Sequence, residues 1–333
     1  MNSVDSCDIK RNVGIDILKV WMSFEVILCH FGQCSEVWIY NHFFTYFTRM
    51  AVPVFMIVSF YLSVRFILDK DCQFNKLTKR LWRIYWPLVA WGVIYLVVYN
   101  IIALLCNDDG YKYSFGNLIW QVLTGHSYNQ AMWFNAVLGG LSILYYIVCK
   151  IDAKYNTAAI VLLSLLAVFV TYSGLNNICI TLRGELNFPL GRIAEMIPYA
   201  GLGLLLYKKK YHNLIVFIVS IVLVKEFCGT IYDGEVVNYH YSGVKLFFCS
   251  ALLVVSFIIL NLSRYRWLMR MATFLSTYSM GIYCIHILVG RILCSLSFYI
   301  DPFYQSVLIY LLSLAICYCI SKIPNNNLKE IVV

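Results

Sequence analysis

The sequence predicts an all-α polytopic integral membrane protein of about ten transmembrane helices, with both termini cytoplasmic. Three observations carry that reading. Of 333 residues, 61% are hydrophobic and 13% charged, about half the ~25% charged residues of a soluble domain. Apolar runs near the ~20 residues needed to cross a bilayer recur along the whole chain. Lys and Arg gather in alternate connections between those runs, the bias that sets orientation. The aromatic share of 17%, with 26 Tyr and 21 Phe, suits spans that end in interfacial belts. The alternating ten-residue segments of a membrane β-barrel are absent.

The expected spans are 13–34, 48–68, 84–106, 132–149, 157–174, 190–207, 212–230, 243–261, 272–293 and 304–321. With the N-terminus inside, the inner segments hold Lys10, Arg11, Lys70, Lys76, Lys79, Arg80, Arg83, Lys150, Lys154, Lys208 to Lys210, Arg264, Arg266, Arg270, Lys322 and Lys329, seventeen of the 26 basic residues. The outer segments hold few, Lys112 and Arg183 among them. No soluble module, repeat or low-complexity tract interrupts the pattern, so one transmembrane domain over 1–333 is expected, with a short cytoplasmic N-terminus 1–12 and a polar cytoplasmic tail 322–333. A short interfacial helix is expected near 115–125. The first apolar run lacks a small-residue cleavage site and reads as a retained span.

The net charge of +9 is a topology signal here, and no nucleic-acid partner is implied. Thirteen Cys occur without a Cys-x-x-Cys pair or zinc spacing. They read as small buried hydrophobes, and no metal is expected.

The first span departs from a plain anchor. "IDILKVWMSFEVILCHFG", residues 15–32, carries Asp16, Lys19, Glu25 and His30. A charge at the bilayer centre costs at least ~2.5–3.5 kcal/mol, so these groups have a purpose. Lys19 and His30 are separated by about three turns, on one face and roughly 16 Å apart in rise. Asp16 lies one turn before Lys19, within its reach. Glu25 is turned about 140° from His30 and must meet another partner. Asp16 and Lys19 suit either interhelical hydrogen bonding or orientation and charge balance. His30 has the pKa range for proton transfer at neutral pH, provided a polar route reaches it.

A second cluster is "KLTKRLWRIYWPL", residues 76–88, where Arg80 and Arg83 stand at i and i+3 and are expected to point the same way. Two forked cations at a membrane surface suit phosphate, or serve as inside-positive anchors. Further polar groups inside apolar runs are Arg192 and Glu195 in "GRIAEMIPY", Arg49, and the pair Tyr283 and His286 at i and i+3. Arg192 either pairs with Glu195 or reaches out to the surface. His286 reads equally as a satisfied core histidine.

In order and spacing these segments resemble the membrane-bound acyltransferase 3 family, stand-alone bacterial type. The basic residue, ten residues and His of its first span match Lys19 to His30, and its Arg-x-x-Arg opening of the third span matches "RLWR". "FTRMAVPVFMIVSFYLS" is similar to its second span, with Phe60 where Gly is usual. "AMWFNAVLGGLSILYYIV", containing Trp133, is similar to its Trp-Phe-Leu span, with Asn135 for Leu. "STYSMGIYCIHILV" is similar to its late span with Ser, Tyr and His, here Ser279, Tyr283 and His286. The resemblance implies transfer of an acyl group, usually acetyl, from cytoplasmic acyl-CoA to a hydroxyl of an extracytoplasmic glycan, in a bacterial inner membrane. It makes His30 the catalytic candidate, with Lys19 and Asp16 in support, and Arg80 and Arg83 the candidates for donor binding. No cofactor beyond the acyl-CoA donor is implied.

Two other classes compete. A transporter or flippase for a polar solute or glycan lipid also carries intramembrane ionisable residues. Such proteins often show inverted repeats and broken spans in matching halves, and no such symmetry is visible. A passive scaffold would not need a polar stripe in its first span.

Overall fold

The computed structural model describes residues 11–44, 47–67, 74–106, 114–116, 119, 132–150, 155–172, 187–207, 244–259, 265–295 and 300–333. Among these residues the regular structure is helical and no strand occurs. The helices are α1 (Val13–Phe31), α2 (Ala51–Ile67), α3 (Phe74–Cys106), α4 (Trp133–Cys149), α5 (Asn156–Tyr172), α6 (Asn187–Tyr207), α7 (Val244–Ile259), α8 (Arg266–Thr277), α9 (Ser279–Ser295), α10 (Pro302–Ser321) and α11 (Asn326–Glu330). Most expected spans within the described residues coincide with a helix, but the one expected at 272–293 straddles the break between α8 and α9. The span expected at 212–230 lies outside them, as does most of the expected interfacial segment at 115–125.

Among the described residues, two helices are long and apolar enough to cross a membrane by length and composition, Phe74–Leu104 and Pro302–Ser321. The pair α8 and α9, bent by 56°, makes a third if taken as one span. At 19 residues, α1 covers about 28 Å, close to the ~30 Å of a hydrocarbon core, but it carries Asp16, Lys19 and Glu25.

Several ends follow from local chemistry. The side chain of Asn12 caps α1 by accepting from the Ile15 N–H, and its Nδ2 donates to the Ile258 carbonyl at 2.9 Å, tying α1 to α7. Gly32 ends the helix, its N–H on the Leu28 carbonyl. At the other side of the connection, Asp301 caps α10 ahead of Pro302. It also accepts from Ser35 Oγ at 2.7 Å and the Glu36 N–H at 3.1 Å, so one carboxylate fastens the connection after α1 to the start of α10. The α3 helix begins ten residues before the span expected at 84, because Lys, Leu and Arg in "NKLTKRLWR" favour helix as well as charge.

The α1 helix sits in the middle of the bundle, packed against α2, α7, α8, α9 and α10. Ile15, Leu18, Met22 and Val26 form its buried stripe at helical spacing. Glu25 is fully buried on another face, and its partner is on its own helix: Trp21 Nε1 donates to Glu25 Oε1 at 2.7 Å. The α2 and α6 helices pack closely where Gly203 meets Ile57. A side chain there would stand 2.4 Å from the Ile57 carbonyl oxygen, the close backbone approach that small residues permit between membrane helices.

Two features were not visible in the sequence. The hydroxyl of Tyr95 on α3 enters the hydrogen-bond ladder of α9: it donates to the Cys284 carbonyl at 3.0 Å and accepts from the Leu288 N–H at 3.1 Å. A side chain inserted in this way locks one helix to another at a fixed register. The tail expected to be simply polar docks instead. Ile331 and Val332 are buried, and Trp91 Nε1 donates to the Ile331 carbonyl at 3.0 Å. Trp86 Nε1 donates to the Asn327 carbonyl, and Trp82, stacked on Trp86, donates to Glu330. Three indoles on one helix thus hold the tail against α3.

Candidate functional site

The site is a row of side chains drawn from α1, α4, α6 and α9. The last turn of α1 carries His30, which is exposed, while His286 on α9 is completely buried. Their ring centroids are 5.4 Å apart. Tyr283 lies 6.0 Å beyond His286, one turn back on α9. Phe134 on α4 stands edge-on to Tyr283 at 5.6 Å, and Trp133 lies beside Phe134 at 6.3 Å. The guanidinium of Arg192 on α6 sits 5.5 Å from the centre of the Trp133 ring. Arg192 in turn pairs with Glu195 at 2.8 Å, which settles the choice between pairing and reaching outward.

Close packing of α1 on α9 fixes this row. A Cβ at Gly290 would come within 2.1 Å of the Phe31 ring, so only glycine lets Phe31 seat there, next to His30. His286 is anchored at its other side, with Nδ1 2.7 Å from the Tyr283 carbonyl oxygen. Its Nε2 has no hydrogen-bond partner. The side-chain oxygen Oδ1 of Asn135 is likewise buried without a partner, while Nδ2 reaches Cys284 Sγ at 4.0 Å. Buried polar atoms left open are costly in a finished core.

Asp16 and Lys19 lie elsewhere. Of the two readings offered for them, interhelical hydrogen bonding is seen, with contacts to the α8–α9 break. Asp16 forms its ion pair with Arg11 at 2.6 Å and accepts from Ser276 Oγ at 2.8 Å. Lys19 Nζ donates to the Ser276 carbonyl at 3.1 Å, and Arg11 Nη2 donates to the Thr273 carbonyl at 3.3 Å. The carbonyls of Thr273 and Ser276 at the end of α8 also accept from the hydroxyls of Thr277 and Ser279, and the added cations suit the C-terminal end of the helix dipole. The charges at the start of α1 therefore hold a broken helix whose second half carries His286.

Arg80 and Arg83 also part company, contrary to the expectation that they point the same way. Arg80 turns inward, donating to Ser142 Oγ at 2.9 Å, to Ser59 Oγ at 3.3 Å and to Ser63 Oγ. Its guanidinium lies 5.3 Å from the centre of the Phe60 ring, so the residue in place of the usual Gly contributes a cation–π contact. Arg83 is exposed. Arg80 is drawn in by the hydroxyls of Ser59 and Ser63 on α2 and of Ser142 on α4, and Arg83, one turn on, faces out. Arg49 sits in the short turn Thr48–Met50 ahead of α2, which packs against α1.

Sequence reasoning missed Ser59, Ser63 and Ser142, Tyr95, Asn135 and Arg11. The two serines at i and i+4 in an apolar span were a usable sign of a polar face. Nothing marked Tyr95 among 26 tyrosines.

A family model described as an acyltransferase domain matches residues 12–322. No curated protein and no solved structure matches the chain.

Proposed function

The chain belongs to the membrane-bound acyltransferase 3 family, and from that premise we propose that it moves an acyl group, in the first instance acetyl, from cytoplasmic acyl-CoA to a hydroxyl of an extracytoplasmic glycan. His30 is the general base. It takes the proton of the acceptor hydroxyl as the oxygen attacks the thioester carbonyl. The new C–O bond forms, the C–S bond breaks, and His30 returns the proton to the departing CoA sulfur. The observation that carries this reading is that the family's first-span histidine, exposed at the end of α1, stands against a row of polar and aromatic side chains from three other helices.

The rest of the site supports two separated ends. At 33 residues, α3 extends about 50 Å, well beyond the ~30 Å hydrocarbon core. Lys76, Lys79 and Arg83 then project at headgroup level on the cytoplasmic side, where a polyanionic donor arrives. Arg83 is the phosphate contact, and Arg80 holds the start of α3 against α2 and α4 so that Arg83 is presented. At the acceptor end Arg192, held over the Trp133 ring and paired with Glu195, is the cation for the charge developing on the thioester oxygen. The orientation adopted is N-terminus and C-terminus inside, in the inner membrane of a bacterium, with ten spans.

The test is mass spectrometry of the host's surface glycans with and without this gene. Loss of ester-linked acyl groups supports the proposal. Unchanged glycan acylation, with accumulation of an unexported lipid-linked glycan, favours the flippase reading.

A further inference from the structure

We infer that His286 is a positioning residue that fixes the tautomer of His30 by accepting its resident N–H. The inference rests on the reading of His30 as general base and adds a second imidazole to it. A carbonyl oxygen only accepts, so the 2.7 Å contact between Nδ1 and the Tyr283 carbonyl requires a proton on Nδ1. A neutral imidazole has one N–H, which leaves Nε2 as a bare acceptor. That nitrogen is fully buried and has no hydrogen-bond partner. Because Nδ1 is tied to its own helix, Nε2 points away from α9 toward its neighbours. Two rings flank His286: Tyr283 at 6.0 Å on the same helix and His30 at 5.4 Å on α1. A small rotation of the exposed His30 ring brings one of its nitrogens to Nε2.

The chemistry then has a direction. His30 donates its N–H to His286 Nε2, so its other nitrogen is bare and faces the exposed side. This is the form a base needs to accept the hydroxyl proton. Once protonated, His30 keeps one N–H on His286 and offers the other to the leaving sulfur. His286 neither gains nor loses a proton overall. A carboxylate would serve the same orienting purpose in water-rich sites, whereas a neutral acceptor places no second charge among apolar helices. The surroundings keep His286 in register: Tyr95 grips α9 at Cys284 and Leu288, on either side of it, and Lys19, Arg11 and Asp16 secure the start of the helix.

The experiment uses full-length protein in nanodiscs, with acetyl-CoA as donor and host envelope polysaccharide as acceptor, read as release of the CoA thiol. His286→Phe keeps the ring's size and removes both nitrogens. We expect kcat to fall about 10-fold or more with KM for acetyl-CoA near wild type, and His286→Gln, which retains an acceptor, to recover much of it. Imidazole 15N spectra of the wild-type protein should show His286 protonated at Nδ1, a readout independent of activity and of how the variants fold. Wild-type kcat in His286→Phe, or a proton on Nε2, overturns the inference. If His30→Ala abolishes transfer while His286→Phe does not, this inference alone falls. If neither substitution matters, the base assignment falls with it.

Discussion

The imidazoles of His30 and His286 stand 5.4 Å apart, one exposed at the end of α1 and the other sealed within α9. They come from opposite ends of the chain, and the contact exists because Phe31 seats against Gly290. Most of what can be tested about this protein follows from how that contact is held.

Gly290→Ala puts a methyl into the Phe31 ring and moves the end of α1. A displacement near 1 Å costs a reaction up to ~100-fold, so transfer should fall ~10-fold to ~100-fold in an otherwise folded protein. Phe31→Ala in the same background should restore part of the rate. Assay of the single and double variants side by side checks this.

Arg80 and Arg83 should behave as different residues. Arg80→Ala leaves the hydroxyls of Ser59, Ser63 and Ser142 without their shared donor, at a cost of ~2 kcal/mol. Its thermal midpoint should drop. Arg83→Ala should leave the midpoint unchanged and raise KM for acyl-CoA, since a phosphate contact binds ground and transition states alike. Thermal unfolding in detergent together with donor titration separates the two.

The docked tail should contribute to stability. Trp91→Phe removes the hydrogen bond to the Ile331 carbonyl and should cost ~1 kcal/mol. Removal of residues 331–333 should cost more, because it also exposes the surface that Ile331 and Val332 cover. Unfolding midpoints check both.

Asp301 sets a pH dependence outside the spans. Desolvation pushes its carboxyl up. Hydrogen bonds from Ser35 Oγ and from the Phe303 and Glu36 N–H groups outweigh that and hold it below its ordinary value. A lowered value means the carboxylate stabilises the fold fully above ~4, and the contribution is lost as pH falls through the native value. The difference in thermal midpoint between wild type and Asp301→Asn should be largest near neutral pH and shrink on acidification below ~4.

The helices were legible because their signal is local. An apolar run of the right length needs no knowledge of its neighbours, and Asn12, Gly32 and Asp301 stop and start helices by their own chemistry. The candidate residues were legible as types, for a buried His or Arg in an apolar run is conspicuous. Their partners were not. Lys19 and Asp16 are neighbours on one helix face, yet both also reach Ser276 across the bundle, Lys19 by donating to its carbonyl and Asp16 by accepting from its hydroxyl, and Asp16 pairs with Arg11. Arg80 and Arg83 separate because the hydroxyls that draw Arg80 inward come from two other helices. Glu25 meets the other partner its angle from His30 required, Trp21, on its own helix. The tail reads as polar from 322 to 330, and only its last residues carry the apolar anchor.

The central claim is that His30 is the base that activates the acceptor hydroxyl. The most direct measurement is acyl transfer from acetyl-CoA to host envelope polysaccharide by purified His30→Ala protein with a wild-type thermal midpoint. The account predicts a loss of at least ~100-fold in kcat, with binding of acetyl-CoA retained. Transfer at the wild-type rate in that folded variant would contradict it.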